Sequence, residues 1–386
     1  MVVLAMLLGC GPAPAPATSP GSVDSAAPVD GAGEGTTFTV AVWMAADNDL
    51  EPLVPRDLDE LERAAGPRVR VLVQLDRVPG GLLAHGDFSG TRRLELTHDD
   101  ARGAHPAVLE DLGEVDMGDG AALADFLRWA DAEAPADHLV VVLWNHGGGY
   151  WIASDDTDDD AIDIATGELS DALQAVADQR GAPVDVVGFD ACNMGEWEVA
   201  HALRTQARFL TASSAWVGDE GYAYGRAFAD LPTDADGRWV AERLAWSAGE
   251  AGELTQAAVD LERVGALSDA LDGLAGAWLD ADLAGFREAR DRARGLDPPG
   301  RTSGSTWARL ADAAAAADPS LAAPAAEVRT ALEAAVYARY TQPVVDFASG
   351  LTVFADTSRR SVDRYRAGPW AADTRWDELL DRAARR

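Results

Sequence analysis

The 386-residue sequence contains no lysine; all 32 of its basic residues are arginine, set against 65 aspartates and glutamates. The formal net charge of −33 repels nucleic acid and anionic membrane surfaces and favours cationic ligands, so a nucleic-acid partner is excluded. The same charge also serves plain solubility, or life in a saline medium. Cysteine is nearly absent, with Cys10 and Cys192 alone, which rules out a disulfide framework. No apolar run approaches the roughly 20 residues that a membrane-spanning helix needs. There is no Gly-x-Ser-x-Gly elbow, so a serine-esterase reading lacks its nucleophile.

A short apolar run, Val2 to Leu8, leads into Leu7-Leu8-Gly9-Cys10 and then a Pro/Ala/Ser/Gly-rich tract. The run suits the apolar region of a secretion signal. Leu-Leu-Gly-Cys resembles the bacterial lipobox, in which the cysteine is lipidated and becomes the mature N-terminus. Residues 1–10 are thus expected to be a lipoprotein signal peptide and 11–36 a flexible tether. No Arg or Lys precedes the run, a departure consistent with a start codon further upstream; an incidental cysteine in a disordered tail is the alternative. If Cys10 carries lipid, Cys192 has no disulfide partner and becomes a candidate reactive thiol.

Ordered structure is expected from Thr37. Strands are read at 37–44, 68–76, 138–145, 184–190 and 208–214, from continuous apolar and β-branched content. Amphipathic helices are read at 119–134 and 167–180, the first with Leu123, Phe126, Leu127 and Ala130 on one face. Apolar strands alternating with helices predict an α/β fold, a mostly parallel sheet covered by helices on both faces. This core is expected over 37–231. Residues 232–386 turn Ala-rich and helical and are expected to pack on it, with strand candidates at 255–261 and 349–356.

The chemistry gathers at two of these strands. "HLVVVLWNHGGGY" runs a strand into His146 and three glycines, and "VDVVGFDACNMGEWEVA" runs another into Cys192. Ligands bind beyond the carboxyl ends of parallel strands. The interval between the two residues holds one crossover helix, enough to make the strands parallel neighbours with both side chains on one sheet edge. A thiol beside an imidazole is the basic arrangement for acyl transfer to cysteine. The glycines let a substrate backbone pass close and leave the Gly147 N–H free for a developing oxyanion. Each residue alone is equally at home as a buried core thiol or a satisfied core histidine; their joint placement is what points to chemistry.

"LVVVLWNHGGGY" followed by "FDACNMGEWEVAHAL" resembles the clostripain family of cysteine peptidases, which share the caspase-like fold. "VAVWMAADNDLE", "TASSAWVGDEGYAYGRAFADL", "SGLTVFAD" and "TRWDELL" resemble further family blocks, so the likeness runs from about residue 37 to the end. The resemblance implies Cys192 as nucleophile, His146 as general acid, and the N–H groups of Gly147 and Cys192 as oxyanion hole. It implies Asp190 as the carboxylate that pairs with a P1 arginine or lysine; a turn or helix cap is the plainer role for that residue. The implied activity is a cysteine endopeptidase cutting polypeptides after basic residues through an acyl-enzyme.

Two departures accompany the likeness. The segment after His146 holds no Arg or Lys before Arg180, so self-cleavage there at a basic site is not expected, and a single uncut, monomeric chain is. Ser214 stands where relatives usually carry an acid, with Asp219 and Glu220 as substitutes. The Cys–His chemistry requires no cofactor. The acidic run with Asp155, Asp156 and Asp158 admits either a Ca²⁺ site, since clostripain-like enzymes can be calcium-dependent, or a solvated acidic loop. The expected location is the bacterial cell envelope or exterior, touching a membrane only through lipid at Cys10. A catalytically silent envelope lipoprotein that binds peptides is the rival reading.

Overall fold

The computed structural model describes residue 35 and residues 37–78, 88–103, 106–281, 283–293 and 304–385. The expected signal peptide, Cys10 and nearly all of the tether lie outside these residues.

Thirteen strands are described: β1 (Phe38–Ala46), β2 (Val69–Arg77), β3 (Thr91–Leu96), β4 (Ala107–Gly113), β5 (His138–Trp144), β6 (Trp151–Asp155), β7 (Asp160–Asp163), β8 (Val184–Asp190), β9 (Ala207–Ala212), β10 (Thr255–Asp260), β11 (Gly304–Thr306), β12 (Val336–Thr341) and β13 (Thr352–Phe354). Nine form one sheet in the order β12-β10-β9-β8-β5-β1-β2-β3-β4. Its centre, β9-β8-β5-β1-β2, is parallel throughout. Antiparallel strands finish both edges, β10 and β12 on one side and β3 and β4 on the other. The sheet is therefore mostly parallel, as the sequence pattern predicts.

Both faces are covered, because alternate side chains of each central strand enter different cores. On β1, Phe38, Val40, Val42 and Met44 pack with α1 (Val54–Ala64), while Ala41, Trp43 and Ala45 pack with α2 (Gly120–Glu133) and α3 (Glu168–Arg180). The first core is closed by α5 (Tyr224–Phe228) and α6 (Gly237–Ala251), and the second by α4 (Trp197–Leu203) and α7 (Val264–Asp280). Local signals set the helix ends. Asp119 caps α2 by accepting from Ala121 N, and Gly181, at φ +72°, ends α3.

Three strands of the nine-stranded sheet escape the pattern reading, as do β6, β7 and β11 outside it. β4 is an edge strand and is almost wholly exposed, and β3 beside it carries Arg92, Arg93 and Glu95. β12 emerges directly from a helix, Ala322–Ala335, whose Ala-rich rhythm masks it. With β10, β12 carries the sheet past the expected 231/232 boundary. The strand expected at 349–356 exists as β13 but pairs with β11 in a separate two-stranded sheet.

The order of strands positions the site. From β1 the chain steps to β2 on one side, and later returns to β5 on the other before continuing to β8 and β9. The reversal leaves a crevice beyond the carboxyl ends of β1 and β5, the place where open α/β sheets bind ligands.

Candidate active site

His146 and Cys192 stand at equivalent places in this crevice. Trp144 and Asp190 are register partners at the ends of β5 and β8, and each candidate lies two residues further on. Asn145 N extends the pairing by donating to Asp190 O at 3.4 Å. The Asn145 side chain donates to Ala45 O at 2.5 Å and Ser154 O at 2.8 Å, and Asn48 reaches the same two carbonyls at 3.1 and 3.2 Å. These amides stitch the loops after β1 and β5 together. The His146 ring, about one-third exposed, sits against Asp49, with Nε2 to Oδ1 at 2.7 Å. In the sequence Asp49 carries no signal beyond its place just past the end of β1, the strand beside β5.

The glycines after His146 are needed by what surrounds them. A Cβ on Gly147 would lie 2.7 Å from Cys192 O and 2.9 Å from Met194 Sδ, so a side chain there would push the two loops apart. Gly149 adopts φ +75°, and a Cβ would stand 2.5 Å from the Glu196 carboxylate. Gly147 faces Ile152 in an antiparallel bridge. The hydrogen bonds of that bridge fall on its neighbours, Ala153 N to His146 O and Gly148 N to Trp151 O. Gly147 is thus the non-bonded member of the pair, and its own N–H turns away from Ile152.

Cys192 is half-buried, and Val217 brackets its sulfur. Val217 N donates to Sγ at 3.3 Å, and Sγ lies 3.7 Å from Val217 O. An N–H aimed at sulfur favours the thiolate. The next residue, Asn193, has φ +58°, a turn that swings the chain off the strand end. Glu253 holds the bracketing loop, accepting from Gly218 N at 2.6 Å and Gly221 N at 3.2 Å. Neither Val217 nor Glu253 carried a sequence signal.

Asp190 lies inside, not at an open surface. Its carboxylate accepts from Tyr224 Oη at 2.7 Å and Tyr222 N at 3.2 Å, and Gly221 packs against it. Burial pushes its pKa up to about 7, helped by the neighbouring Asp57 and opposed by the Tyr224 hydrogen bond. Asp57 is itself raised to about 6 by burial, with Trp144 Nε1 donating to it at 2.7 Å and Arg56 Nε at 2.9 Å. The Arg56 guanidinium also meets Asp219 O and lies 3.6 Å from the Glu220 carboxylate. Asp219 and Glu220 are therefore grouped around Arg56 on the exposed loop. A cavity of about 290 Å³ opens here, lined by Arg56, Glu60, Glu220, Tyr222, Arg226 and Glu250, with Asp190 behind Tyr222 rather than in its wall. Ser214 is buried, and its hydroxyl makes no hydrogen bond among the described residues.

The acidic run after β6 divides. Asp155 and Asp158 meet Asp116, and Asp155 also meets Asp47, Asp76 and Glu114, whereas Asp156 joins neither group. The segment after His146 folds as the β6–β7 hairpin and α3, and its first basic residue, Arg180, ends that helix in an ion pair with Asp131.

Known proteins match the chain along much of its length. The family model described as "Clostripain family" matches residues 42–284. Clostripain of Hathewaya histolytica is 29% identical over 221 residues, which cover 49% of this chain and 41% of clostripain, so the match spans less than half of that relative. A secreted C11 cysteine protease from Bacteroides thetaiotaomicron, solved with an irreversible peptide inhibitor, superposes with a TM-score of 0.68 at 19% identity, covering 89% of this chain and 99% of its own. An inactive zymogen C11 protease from Parabacteroides distasonis gives 0.68 at 18% identity, covering 88% and 98%. These likenesses establish a shared fold.

Proposed function

The chain belongs to the clostripain family, and from that premise we propose that it is a cysteine endopeptidase cutting after arginine or lysine. The observation that carries the reading is the pairing of strand ends, Trp144 opposite Asp190, which delivers His146 and Cys192 to one crevice. In the proposed step the Cys192 thiolate attacks the scissile carbonyl carbon. Oxyanion charge falls on the Gly147 N–H, which the bridge to Ile152 turns outward, and on the Cys192 N–H. The protonated His146 gives its proton to the leaving amine. Water, deprotonated by the same imidazole, then hydrolyses the thioester. Asp49 orients the ring from its Nε2 side.

Preference for a basic P1 residue rests on the acids beside the site. Asp57, Asp190 and Glu220 raise or bind one arginine, Arg56, whose charge in turn reaches Glu253. Such a group accepts a guanidinium and rejects a carboxylate, because an unpaired buried charge is costly. Asp190, behind Tyr222 and Tyr224, adds its charge from beneath the cavity, with Asp219 and Glu220 at the rim. Arg180 at the end of a packed helix supports a single uncut chain. The silent-lipoprotein alternative explains neither the strand-end pairing nor the close fit of Gly147 on Cys192. Export and lipid attachment at Cys10 complete the proposal.

Fluorogenic peptides differing only at P1 test it. Arg or Lys cleavage that Cys192→Ala abolishes supports the reading, and an unreactive Cys192 with no turnover of any peptide overturns it.

A further inference from the structure

Arg56, near the start of α1, brings a positive charge to the cavity beside Asp190. Nε donates to Asp57 Oδ1 at 2.9 Å, Nη2 donates to Asp219 O, and Nη1 lies 3.6 Å from Glu220 Oε1. Burial works against this charge, yet Asp57, Glu220 and Asp190 together hold the Arg56 pKa above its ordinary value. A buried arginine such as Arg77, sealed with Glu51 at 2.6 Å, makes a structural pair. Arg56 differs, because its side chain is one-third exposed and lines an open cavity.

The cavity wall holds three carboxylates, Glu60, Glu220 and Glu250, and they are not equivalent. Glu60 is already engaged by Arg63 at 2.7 Å and by Gly225 N at 3.2 Å. Glu250 is exposed, so solvent screens it. Only around Arg56 do a carbonyl, Asp219 O, and a carboxylate, Glu220, act together with the buried Asp57 and Asp190. Those two acceptors sit on the loop 216–221, which Glu253 grips on either side of them at Gly218 N and Gly221 N. On the same loop, Val217 N meets the Cys192 sulfur. A guanidinium position is thus built beside the nucleophile, and one of the chain's own arginines fills it.

We propose that this position is the P1 guanidinium subsite, that Arg56 fills it in the free chain, and that a substrate arginine displaces Arg56 from Asp219 O and Glu220. The inference rests on the basic-P1 reading above and names what that reading selects on, the exchange of one guanidinium for another. Exchange keeps the charge at the subsite constant, so the acids around it are never left uncompensated. The planar fork of a guanidinium reproduces both contacts, whereas a lysine ammonium is a point charge, so arginine outranks lysine. An uncharged P1 residue leaves Arg56 in place.

The test titrates ethylguanidine onto the full chain by ligand-observed NMR, a readout that needs no turnover, and assays peptides with Arg or Ala at P1 beside it. Arg56→Gln, which removes the charge, should bind ethylguanidine about fivefold more tightly than wild type, the worth of one partly exposed ion pair. It should lower KM for the Arg peptide by a similar factor and leave KM for the Ala peptide where it was. Arg56→Lys keeps a competing cation and should follow wild type. Ethylurea, the same shape without charge, should not distinguish the variants. Equal or weaker ethylguanidine binding in Arg56→Gln overturns the subsite. So does a KM change common to both peptides, which marks a loosened loop rather than exchange. Tighter ethylguanidine binding in Arg56→Gln with no peptide turned over supports the subsite and overturns the peptidase reading instead.

Discussion

His146 Nε2 and Asp49 Oδ1 meet at 2.7 Å although 97 residues separate them in the chain. The contact exists because β1 and β5 are parallel neighbours in register, so the loops beyond their ends emerge side by side. Asp49 is 82% exposed, and an exposed pair contributes at most about 1 kcal/mol. Asp49→Ala is therefore expected to lower kcat roughly two- to fivefold with KM unchanged. Asp49→Asn, which keeps an acceptor, should restore part of the loss. Steady-state kinetics of the two variants separate orientation of the ring from general destabilisation.

Gly147 is where backbone and catalysis meet most tightly. Gly147→Ala brings a methyl group to 2.7 Å from Cys192 O, so either the Gly147 N–H, the proposed oxyanion donor, or the Cys192 loop must shift. The expected loss is about 10²–10³-fold in kcat, the scale of a removed oxyanion donor. Alkylation of Cys192 in the variant, followed by mass spectrometry, should still proceed and show that the fold persists.

Asp190 gives the account a pH signature. With its pKa near 7, the carboxyl is neutral below that pH and charged above it. The charged form attracts a P1 guanidinium in the cavity and the neutral form does not, so KM for arginine substrates should fall as pH rises through about 7. Peptides with an uncharged P1 residue should not show this limb. Asp190→Asn should remove it and raise KM for arginine by on the order of 10²-fold, from loss of a buried charge pair. A pH–KM profile on both peptide classes is the check.

Glu253 controls the loop that brackets the sulfur. Its two backbone acceptor contacts, to Gly218 and Gly221, hold Val217 N on Cys192 Sγ. Glu253→Ala should slow thiol alkylation at neutral pH by roughly threefold to tenfold, the worth of about one ordinary hydrogen bond. Glu253→Gln, still an acceptor, should lie between. Rates of iodoacetamide labelling against pH read this directly.

The legibility of these features in the sequence follows from how each is encoded. β1, β2, β5, β8 and β9 are buried on both faces, so they read as apolar runs, and the residues just past them read as site residues. His146, Cys192 and Gly147 fall in that class. β4 escaped because an exposed edge strand has no apolar face to announce it, and β12 because it continues an Ala-rich helix. The burial of Asp190 behind Tyr222 and Tyr224 depends on a loop folding back from 34 residues away, which no local pattern encodes. The acidic run at 155–160 is dense in sequence, yet in the fold Asp155 gathers with Asp47, Asp76 and Glu114 from distant segments, Asp158 with Asp116 and Asp155, and Asp156 with neither group. Spacing shows groups made within one loop, and only topology shows a group drawn from several segments.

The most direct test of the central claim is turnover of peptides identical except for Arg, Lys, Asn or Asp at P1, by wild type and Cys192→Ala side by side. Cleavage after Arg and Lys is expected, falling at least about 10⁴-fold in the variant, as on loss of a nucleophile. Equal turnover by Cys192→Ala, or cleavage confined to Asn or Asp, would contradict it.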